Sequence, residues 1–186
     1  MASTTPNLDH PTLPHVKNAF PDARLRATEF RGQTTLIVEP SDQGSILRFL
    51  KDDPNCDYNF MVDATAADYL GYPSEMPGRF AVIYVLRSFK HELDLTVKVF
   101  LDPTVDTSGV EEDPALEVES VCGLWSAAEW REREIFDMYG IRFRNHPDLR
   151  RLLTWTDFPA HPLRKDYPLR GRGERELYRV IDRTES

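Results

Sequence analysis

Two consecutive apolar segments, residues 80–88 and 93–101, constrain the fold more than any other feature of the sequence. The first reads FAVIYVLRS and is apolar on both faces, which predicts a strand in the middle of a sheet. In the second, LDLTVKVFL, every other residue from Leu93 to Leu101 is apolar, which is typical of a strand with one buried face. Lys90, His91 and Glu92 supply the turn between them. The two segments therefore predict an antiparallel hairpin.

Shorter segments extend this pattern into a fold class. Residues 25–30 and 34–38 flank a turn at Gly32 and predict a second hairpin. Further strands are predicted in 58–69, with Phe60, Val62 and Ala64 on the buried side, and in 116–121 and 141–144; helical spacing follows Ser41. Because local hairpins outnumber βαβ spacings, the sequence predicts an α+β fold. We expect a mostly antiparallel, mixed sheet with helices packed on one face, followed by an extended C-terminal segment.

The chain of 186 residues is 40% hydrophobic, which fits one domain with a sizeable core and loose ends. Three prolines in the first fourteen residues indicate a flexible N-terminal arm, residues 1–14, before a short helix at 15–20. Residues 15–145 form the predicted α+β domain. Residues 146–186 are predicted to be an extended, arginine-rich docking segment and tail.

The net charge of −8 is unevenly distributed. Residues 1–125 contain 10 Lys and Arg against 20 Asp and Glu, whereas residues 126–186 contain 13 against 11, and twelve of those cations are arginines. Interleaved acids and an acidic total argue against nucleic-acid binding. No apolar run is long enough to span a membrane, and the N-terminus does not resemble a signal peptide. Cys56 and Cys122 are expected to be buried thiols in a cytosolic or cytosol-facing protein.

Residues 130–169 carry more charge and aromatic surface than a small domain needs to close its core. A capping box of Ser126 and Glu129, with Trp125 stapled onto Trp130, predicts a helix over 127–139 that ends at Gly140.

The charged residues of this helix divide into two groups. Arg131 and Glu132 project into the apolar sector, so each must be paired or face another protein. Arg133, Glu134 and Asp137 lie on the other side, where Glu129–Arg133 and Arg133–Asp137 pairs predict a solvated face.

Beyond Gly140, X-Pro units at 146 and 161 keep the chain extended, and we expect that it cannot fold on itself. His146, His161, Asp148 and Asp166 offer metal-binding or acid–base atoms, but the histidines are fifteen residues apart without a recognised ligand spacing. Nucleotide-binding, hydrolase and iron–sulfur motifs are absent from the sequence. The residues alone thus favour a cofactor-free binding module over a metal-dependent enzyme that uses His146 and His161.

Four ordered motifs carry a resemblance to a known family. They read ERE at 132–134, FDMYGI at 136–141, HPDLRR at 146–151 and HPLRKDYP at 161–168. This stretch, with TLIV at 35–38 and RFAVIY at 79–84, strongly resembles the C subunit family of respiratory complex I, the NADH–quinone oxidoreductase. That family is similar to the mitochondrial iron–sulfur protein 3 subunit and the chloroplast J subunit. Ala160 stands where the family usually has Gly.

The resemblance implies a hydrophilic core subunit of the peripheral arm, which supports electron transfer from NADH to quinone without a cofactor or independent activity. NADH, flavin, iron–sulfur clusters and quinone would belong to partner subunits. It would scaffold the quinone-site D subunit and the B subunit with the terminal cluster, and touch the cytoplasmic face of the bacterial inner membrane only through the complex. An equivalent subunit of a membrane-bound hydrogenase or another quinone-linked dehydrogenase is the alternative. The expected docking residues are Arg131, Glu132, Arg133, Glu134, Asp137, His146, Asp148, Arg150, Arg151, His161, Arg164, Lys165, Asp166 and Tyr167.

Overall fold

The computed structural model describes residues 8–109 and 111–174. Its elements are α1 (Thr12–Ala19), β1 (Arg26–Phe30), β2 (Gln33–Val38), α2 (Gln43–Asp52), β3 (Phe60–Asp68), β4 (Phe80–Ser88), β5 (Leu93–Leu101), β6 (Glu117–Glu119), α3 (Ala128–Tyr139) and β7 (Arg142–Arg144). A 3-10 turn, Pro114–Leu116, precedes β6.

The main sheet has five strands in the order β1-β2-β5-β4-β3. The predicted β4–β5 hairpin is confirmed, with Ser88 opposite Leu93, and the β1–β2 hairpin turns at Gly32, where φ is +78°. β2 pairs with β5 in parallel, while the other pairings in this sheet are antiparallel. A separate parallel pair joins β6 to β7. The predicted α+β class with a mixed, mostly antiparallel sheet is confirmed.

The core lies on one face of this sheet. Val97 of β5 faces Leu36 of β2 and Tyr84 of β4, and all three side chains are buried. α2 contributes buried Ile46, Leu47 and Leu50 to the same cluster, as its helical spacing predicts. Side chains that point to the other face, such as Ile83, are only half-buried.

β3 departs from the predicted phase. Phe60 and Val62 are exposed, and Met61 between them is buried. The pairing with β4 shifts between Met61 and Asp63, so one extra residue reverses the inward side before Ala64. Alternation alone does not reveal such a bulge.

The folded domain begins earlier than predicted. α1 starts at Thr12, whose fully buried hydroxyl lies 2.9 Å from the Tyr58 hydroxyl. The arm boundary at residue 14 is therefore wrong, and residues 1–7 of the predicted arm lie outside the described residues. In the acidic loop at 103–114, Asp113 is buried and accepts hydrogen bonds from Thr104, Val105 and Ala115.

α3 ends as predicted but begins differently. Gly140 adopts a left-handed conformation with φ of +74°, which confirms it as the helix terminator. At the other end the first helical residue is Ala128, and no side chain caps the helix, so the Ser126–Glu129 capping box is wrong. Trp125 instead lies in the core and donates from Nε1 to the Tyr58 carbonyl at 3.2 Å, while Trp130 is exposed.

Candidate functional site

Residues 146–174, named the strap here, follow α3 from its start to its C-terminal end: His146 contacts Glu129, Arg151 contacts Asp137, and Arg164 contacts Tyr139. Residues 146–173 contain no helix or strand, but they form turns and bends rather than the predicted extended run. The N–H groups of Arg164 and Tyr167, for example, donate to the carbonyls of His161 and Arg164, each at 3.1 Å. The expectation that this segment cannot fold on itself is also wrong. Proline restricts the backbone, but it does not prevent side chains of the strap from bonding to the domain. Most of the predicted docking residues make these internal contacts.

Asp137 is the centre of the first contact. Its carboxylate is fully buried and accepts from the N–H groups of Leu152, Leu153 and Thr154 at 3.0, 2.7 and 2.8 Å. The Thr154 hydroxyl and Arg151 Nη1 donate to its other oxygen at 2.5 and 2.8 Å. Burial alone would raise the pKa of Asp137, but these hydrogen bonds outweigh it and lower the pKa to about 2. The carboxylate stays ionised and holds the strap to α3.

The strap also caps the C-terminal end of α3. A helix leaves its last carbonyls without internal donors, and a cation beside them is favourable. Three donors of the strap fill this need: the His161 ring to Asp137 O at 2.9 Å, the Leu163 N–H to Met138 O at 3.1 Å, and Arg164 Nε to Tyr139 O at 2.6 Å. The His-Pro-Leu-Arg motif is therefore a helix-capping device within this chain.

His161 and Arg164 are both buried at this point. Burial lowers the pKa of His161 to about 4, so its ring is neutral and donates from Nδ1. Arg164 Nη1 reaches the Thr107 carbonyl at 2.8 Å, and its guanidinium lies 5.7 Å from the centre of the Phe80 ring. A Cβ on Gly140 would meet Arg164 Nη2 and lie 2.6 Å from His161 Nε2. The capping arrangement thus requires glycine at this position for space as well as for its positive φ.

A second contact fixes the strap to the end of β3. Arg79 donates to both oxygens of Asp68 at 3.1 and 2.9 Å and to Asp166 at 2.9 Å. The backbone N–H of Lys165 donates to Asp68 at 2.8 Å. Burial would raise the pKa of Asp68, but the hydrogen bonds from Arg79 and Lys165 lower it. Asp166 consequently belongs to an internal ion-pair network.

The start of the strap is held against the middle of α3. Buried Arg133 donates to the carbonyls of Arg150 and Arg151 at 3.2 and 3.4 Å. Neither predicted i,i+4 pair of this helix occurs among the ion pairs of residues 8–109 and 111–174. The face of α3 that was predicted to be solvated is covered by the strap, which is why Arg133 and Asp137 are buried.

Glu132 belongs to a separate buried cluster with Cys122 and His146. Its carboxylate accepts from the Val121 N–H at 2.7 Å and the Ser120 hydroxyl at 2.6 Å, with the Cys122 thiol at 3.4 Å. The cluster thus satisfies the predicted requirement that Glu132 be paired. Burial raises the pKa of Glu132, and it raises the pKa of Cys122 to about 12.

This cluster could be considered a metal site, because the three ligating atoms lie within 4.8 Å of one another. The hydrogen bonds of His146 do not fit that role. Nε2 must carry a proton to donate to the Glu129 carbonyl at 3.0 Å, while Nδ1 accepts the Asp148 N–H at 3.0 Å. A metal-bound histidine binds through an unprotonated nitrogen and donates from the other. His161 belongs to no metal-ligand group found within the described residues, so the structure there gives no support to the disfavoured alternative of an enzyme that uses His146 and His161.

The remaining six predicted residues keep side chains that are at least partly accessible: Arg131, Glu134, Asp148, Arg150, Lys165 and Tyr167. Arg131 pairs with Asp63 at 3.0 Å and with Glu134 at 3.3 Å, which satisfies the predicted need for a partner within the chain. Asp148 and Arg150 pair with each other at the surface, and Lys165 is exposed. Tyr167, half-buried, donates to Glu174 at 2.8 Å.

Sequence reasoning missed two groups of site residues. Asp68, Arg79 and Thr107 hold the strap from distant parts of the chain, and no local pattern links them to residue 166. The second group is a row of exposed apolar residues along the strap, Leu153, Trp155, Leu163 and Leu169. Their spacing fits no helix or strand, although four large apolar side chains in a segment without regular structure are themselves a signal of an interface.

Comparisons with known proteins agree with the resemblance. Residues 36–173 match the family described as respiratory-chain NADH dehydrogenase, 30 Kd subunit. The NADH-quinone oxidoreductase C subunit of Geotalea uraniireducens (strain Rf4) is 39% identical over 164 residues, 88% of this chain and 90% of the relative. The corresponding protein of Citrifermentans bemidjiense is 42% identical over 164 residues, 88% and 91% of the two chains.

Two solved structures share the fold. The trypsin-resistant fragment (1-134) of Nqo5 is 25% identical, with a TM-score of 0.59 over 74% of this chain and 96% of that one. A chain of the membrane-bound sulfane sulfur reductase, an archaeal respiratory membrane complex, has a TM-score of 0.64 over 92% and 91% at 21% identity. The latter likeness is one of fold alone.

No helix within the described residues is long and apolar enough to cross a lipid bilayer.

The family match covers most of the chain, and it includes most of the sheet and nearly all of the strap. The relatives are matched over nearly their whole length. The chain belongs to the family of the 30 kDa subunit of respiratory-chain NADH dehydrogenase.

Proposed function

We propose that this chain is a non-catalytic scaffold subunit in the peripheral arm of a proton-translocating NADH:quinone oxidoreductase. It supports electron transfer from NADH to quinone by holding neighbouring subunits in place and binds no redox cofactor itself. The proposed neighbours are the quinone-site D subunit and the B subunit with the terminal iron–sulfur cluster. The proposed location is the cytoplasmic face of the bacterial membrane. The names of the relatives support the assignment to this complex, and the geometry of the site supports the non-catalytic role.

One observation carries the non-catalytic part. The acid–base groups at 130–169 that are buried enough to be tuned for catalysis are committed to internal hydrogen bonds. Asp137 and His161 bind the strap and the end of α3, and Glu132 binds the turn before that helix. A general acid or base needs a free position toward a substrate. The two cysteines are also too few to ligate an iron–sulfur cluster.

The test replaces the chain in its native host. Deleting it should abolish NADH:quinone reductase activity of the membranes, and wild-type chain supplied in trans should restore it. His161→Gln and Glu132→Gln remove the two titratable groups but retain a polar side chain of similar size. We expect both variants to restore activity in proportion to the amount of assembled complex, with turnover per complex unchanged.

Two results would contradict the proposal. A tenfold loss of turnover per assembled complex in either variant would assign that residue to the chemistry. Co-purification of the tagged chain with hydrogenase subunits, rather than with an NADH-oxidising module, would favour the alternative complex.

A further inference from the structure

The outer surface of the strap forms an open groove of about 740 Å³. Its lining is about equally polar and apolar, and the apolar part consists of Leu153, Trp155, Phe158, Pro162 and Leu169. Leu169 has a relative exposure of 104% and Leu153 of 65%, so the main apolar walls of this groove are in water. Concentrated apolar surface around a concave site is a property of binding surfaces.

The floor of the groove is fixed by the same residues that hold the strap. Buried Phe158 stacks edge-on with Trp155 at 4.6 Å between ring centres. Arg151, anchored on Asp137, donates to the Phe158 carbonyl at 2.8 Å and lies 5.8 Å from the centre of its ring. The groove is therefore formed before a partner arrives, which reduces the ordering cost of binding.

The rim of the groove is positively charged. Arg170 lines it, and its side chain forms no ion pair within residues 8–109 and 111–174. The acidic residue of the lining, Glu174, is already engaged by the Tyr167 hydroxyl and the Arg172 N–H at 2.8 and 2.7 Å. Among the described residues of the lining, the charged side chain without an ion pair is therefore the cation Arg170, although the chain as a whole has a net charge of −8.

We propose that this groove binds an apolar segment of a partner subunit that carries carboxylates beside its apolar residues. This inference rests on the proposed function and locates the docking surface within it. Arg151 of the strap and its partner Asp137 of α3 fix the floor of the groove, and Leu153, Leu169 and Arg170 contact the partner. An anionic membrane is a weaker match, because the single cation of the lining falls short of a polybasic cluster, the groove is concave, and the acidic body is repelled.

The experiment uses the full chain, tagged and expressed in its native host in place of the untagged copy. Leu169→Glu and Arg170→Glu alter the groove at exposed positions, so the melting temperature of the purified chain should not change. Phe30→Glu, at the exposed β1–β2 turn on the opposite edge of the sheet, is the matched control. We expect both groove variants to reduce co-purification with NADH dehydrogenase subunits from detergent-solubilised membranes at least tenfold, and the control to match wild type.

The possible failures are distinguishable. If wild type co-purifies with those subunits and both groove variants do so equally well, the groove inference is overturned and the proposed function stands. If wild type retains no such subunit, the proposed function fails. Binding of the purified chain to vesicles with anionic lipids, or self-association in sedimentation, that Leu169→Glu abolishes would assign the groove to a membrane or to a second copy and would also overturn the inference.

Discussion

Asp137 shows how one residue can have its role reversed by a distant segment. On a helical wheel it lies opposite the apolar sector, where water is the expected neighbour. In the structure, backbone and side-chain donors of residues 151–154 take the place of water. A helical wheel considers only the helix itself, so it cannot show which side a later segment covers.

His161 is expected to make stability pH-dependent. In the folded protein its pKa is about 4, whereas a free imidazole has a pKa of 6.5. The unfolded chain therefore binds this proton first as the pH falls, so the contribution is complete above pH 6.5 and is lost between pH 6.5 and 4. The shift corresponds to about 3 kcal/mol of unfolding free energy.

Chemical denaturation at several pH values measures this effect. His161→Gln should be less stable than wild type at pH 7, and its stability should fall less between pH 6.5 and 4. His91→Gln, in the β4–β5 turn, retains His161 and should keep the wild-type slope. If the unfolding free energy changed with pH equally in all three proteins, folding would not lower the pKa of His161, and the prediction would be wrong.

Among the secondary-structure elements, local sequence patterns predict the hairpins but not the long-range strand pairing, the bulge in β3 or the start of α3. The β4–β5 hairpin follows from alternation and a short turn, both visible in 22 consecutive residues. The parallel β2–β5 pairing joins residues some sixty positions apart, and the bulge in β3 depends on how the strand meets β4. The capping box fails because the Glu129 N–H, which would donate to the Ser126 side chain, donates instead to the Ser126 backbone carbonyl at 3.3 Å in the turn that precedes α3.

The two tryptophans near the start of α3 separate the predicted staple from the observed core contact. Trp125→Ala should destabilise the protein by about 3–5 kcal/mol, because it empties a core position and removes the Nε1 donor to Tyr58. Trp130→Ala should change stability by about 0.5 kcal/mol or less, since Trp130 is exposed. Thermal or urea unfolding decides between them. Comparable losses of unfolding free energy in both variants would instead support the predicted contact between Trp125 and Trp130.

Gly140 tests the junction between α3 and the strap. Gly140→Ala introduces both an unfavourable positive φ and a clash with Arg164 and His161. Gly32→Ala is the matched control, because its φ is +78° and nothing lies within 4 Å of the added Cβ. We expect about 1 kcal/mol of destabilisation at Gly32 from backbone strain, and at least about 2 kcal/mol more at Gly140. Equal losses in urea unfolding would mean that the strap moves aside at little cost.

At the scale of the whole molecule, several charged residues of the arginine-rich C-terminal third form ion pairs and hydrogen bonds within the chain. Arg151 pairs with Asp137, Asp166 pairs with Arg79, and Arg164 binds carbonyls of α3 and of the 107–109 loop. In sequence, this arginine-rich tract resembles a docking surface, but in the structure much of it binds the α+β domain of the same chain. Sequence alone cannot separate these uses, because a buried intramolecular pair and an interface pair need the same residues.

The attachment of the strap can be measured by combining a truncation with one substitution. A chain ending at Asn145 loses every donor that reaches the Asp137 carboxylate. The truncated body keeps the whole five-stranded sheet and its buried core cluster, so we expect it to fold, with a lower melting temperature. In the full chain, Asp137→Asn should cost about 3–5 kcal/mol, since it leaves Arg151 without its buried partner. In the truncated chain, where water reaches residue 137, the same substitution should cost about 0.5 kcal/mol or less.

Urea unfolding of all four proteins measures the two costs of Asp137→Asn. The difference between the cost in the full chain and the cost in the truncated chain is the coupling free energy between Asp137 and the strap. Equal costs in both lengths would place the role of Asp137 within α3 itself.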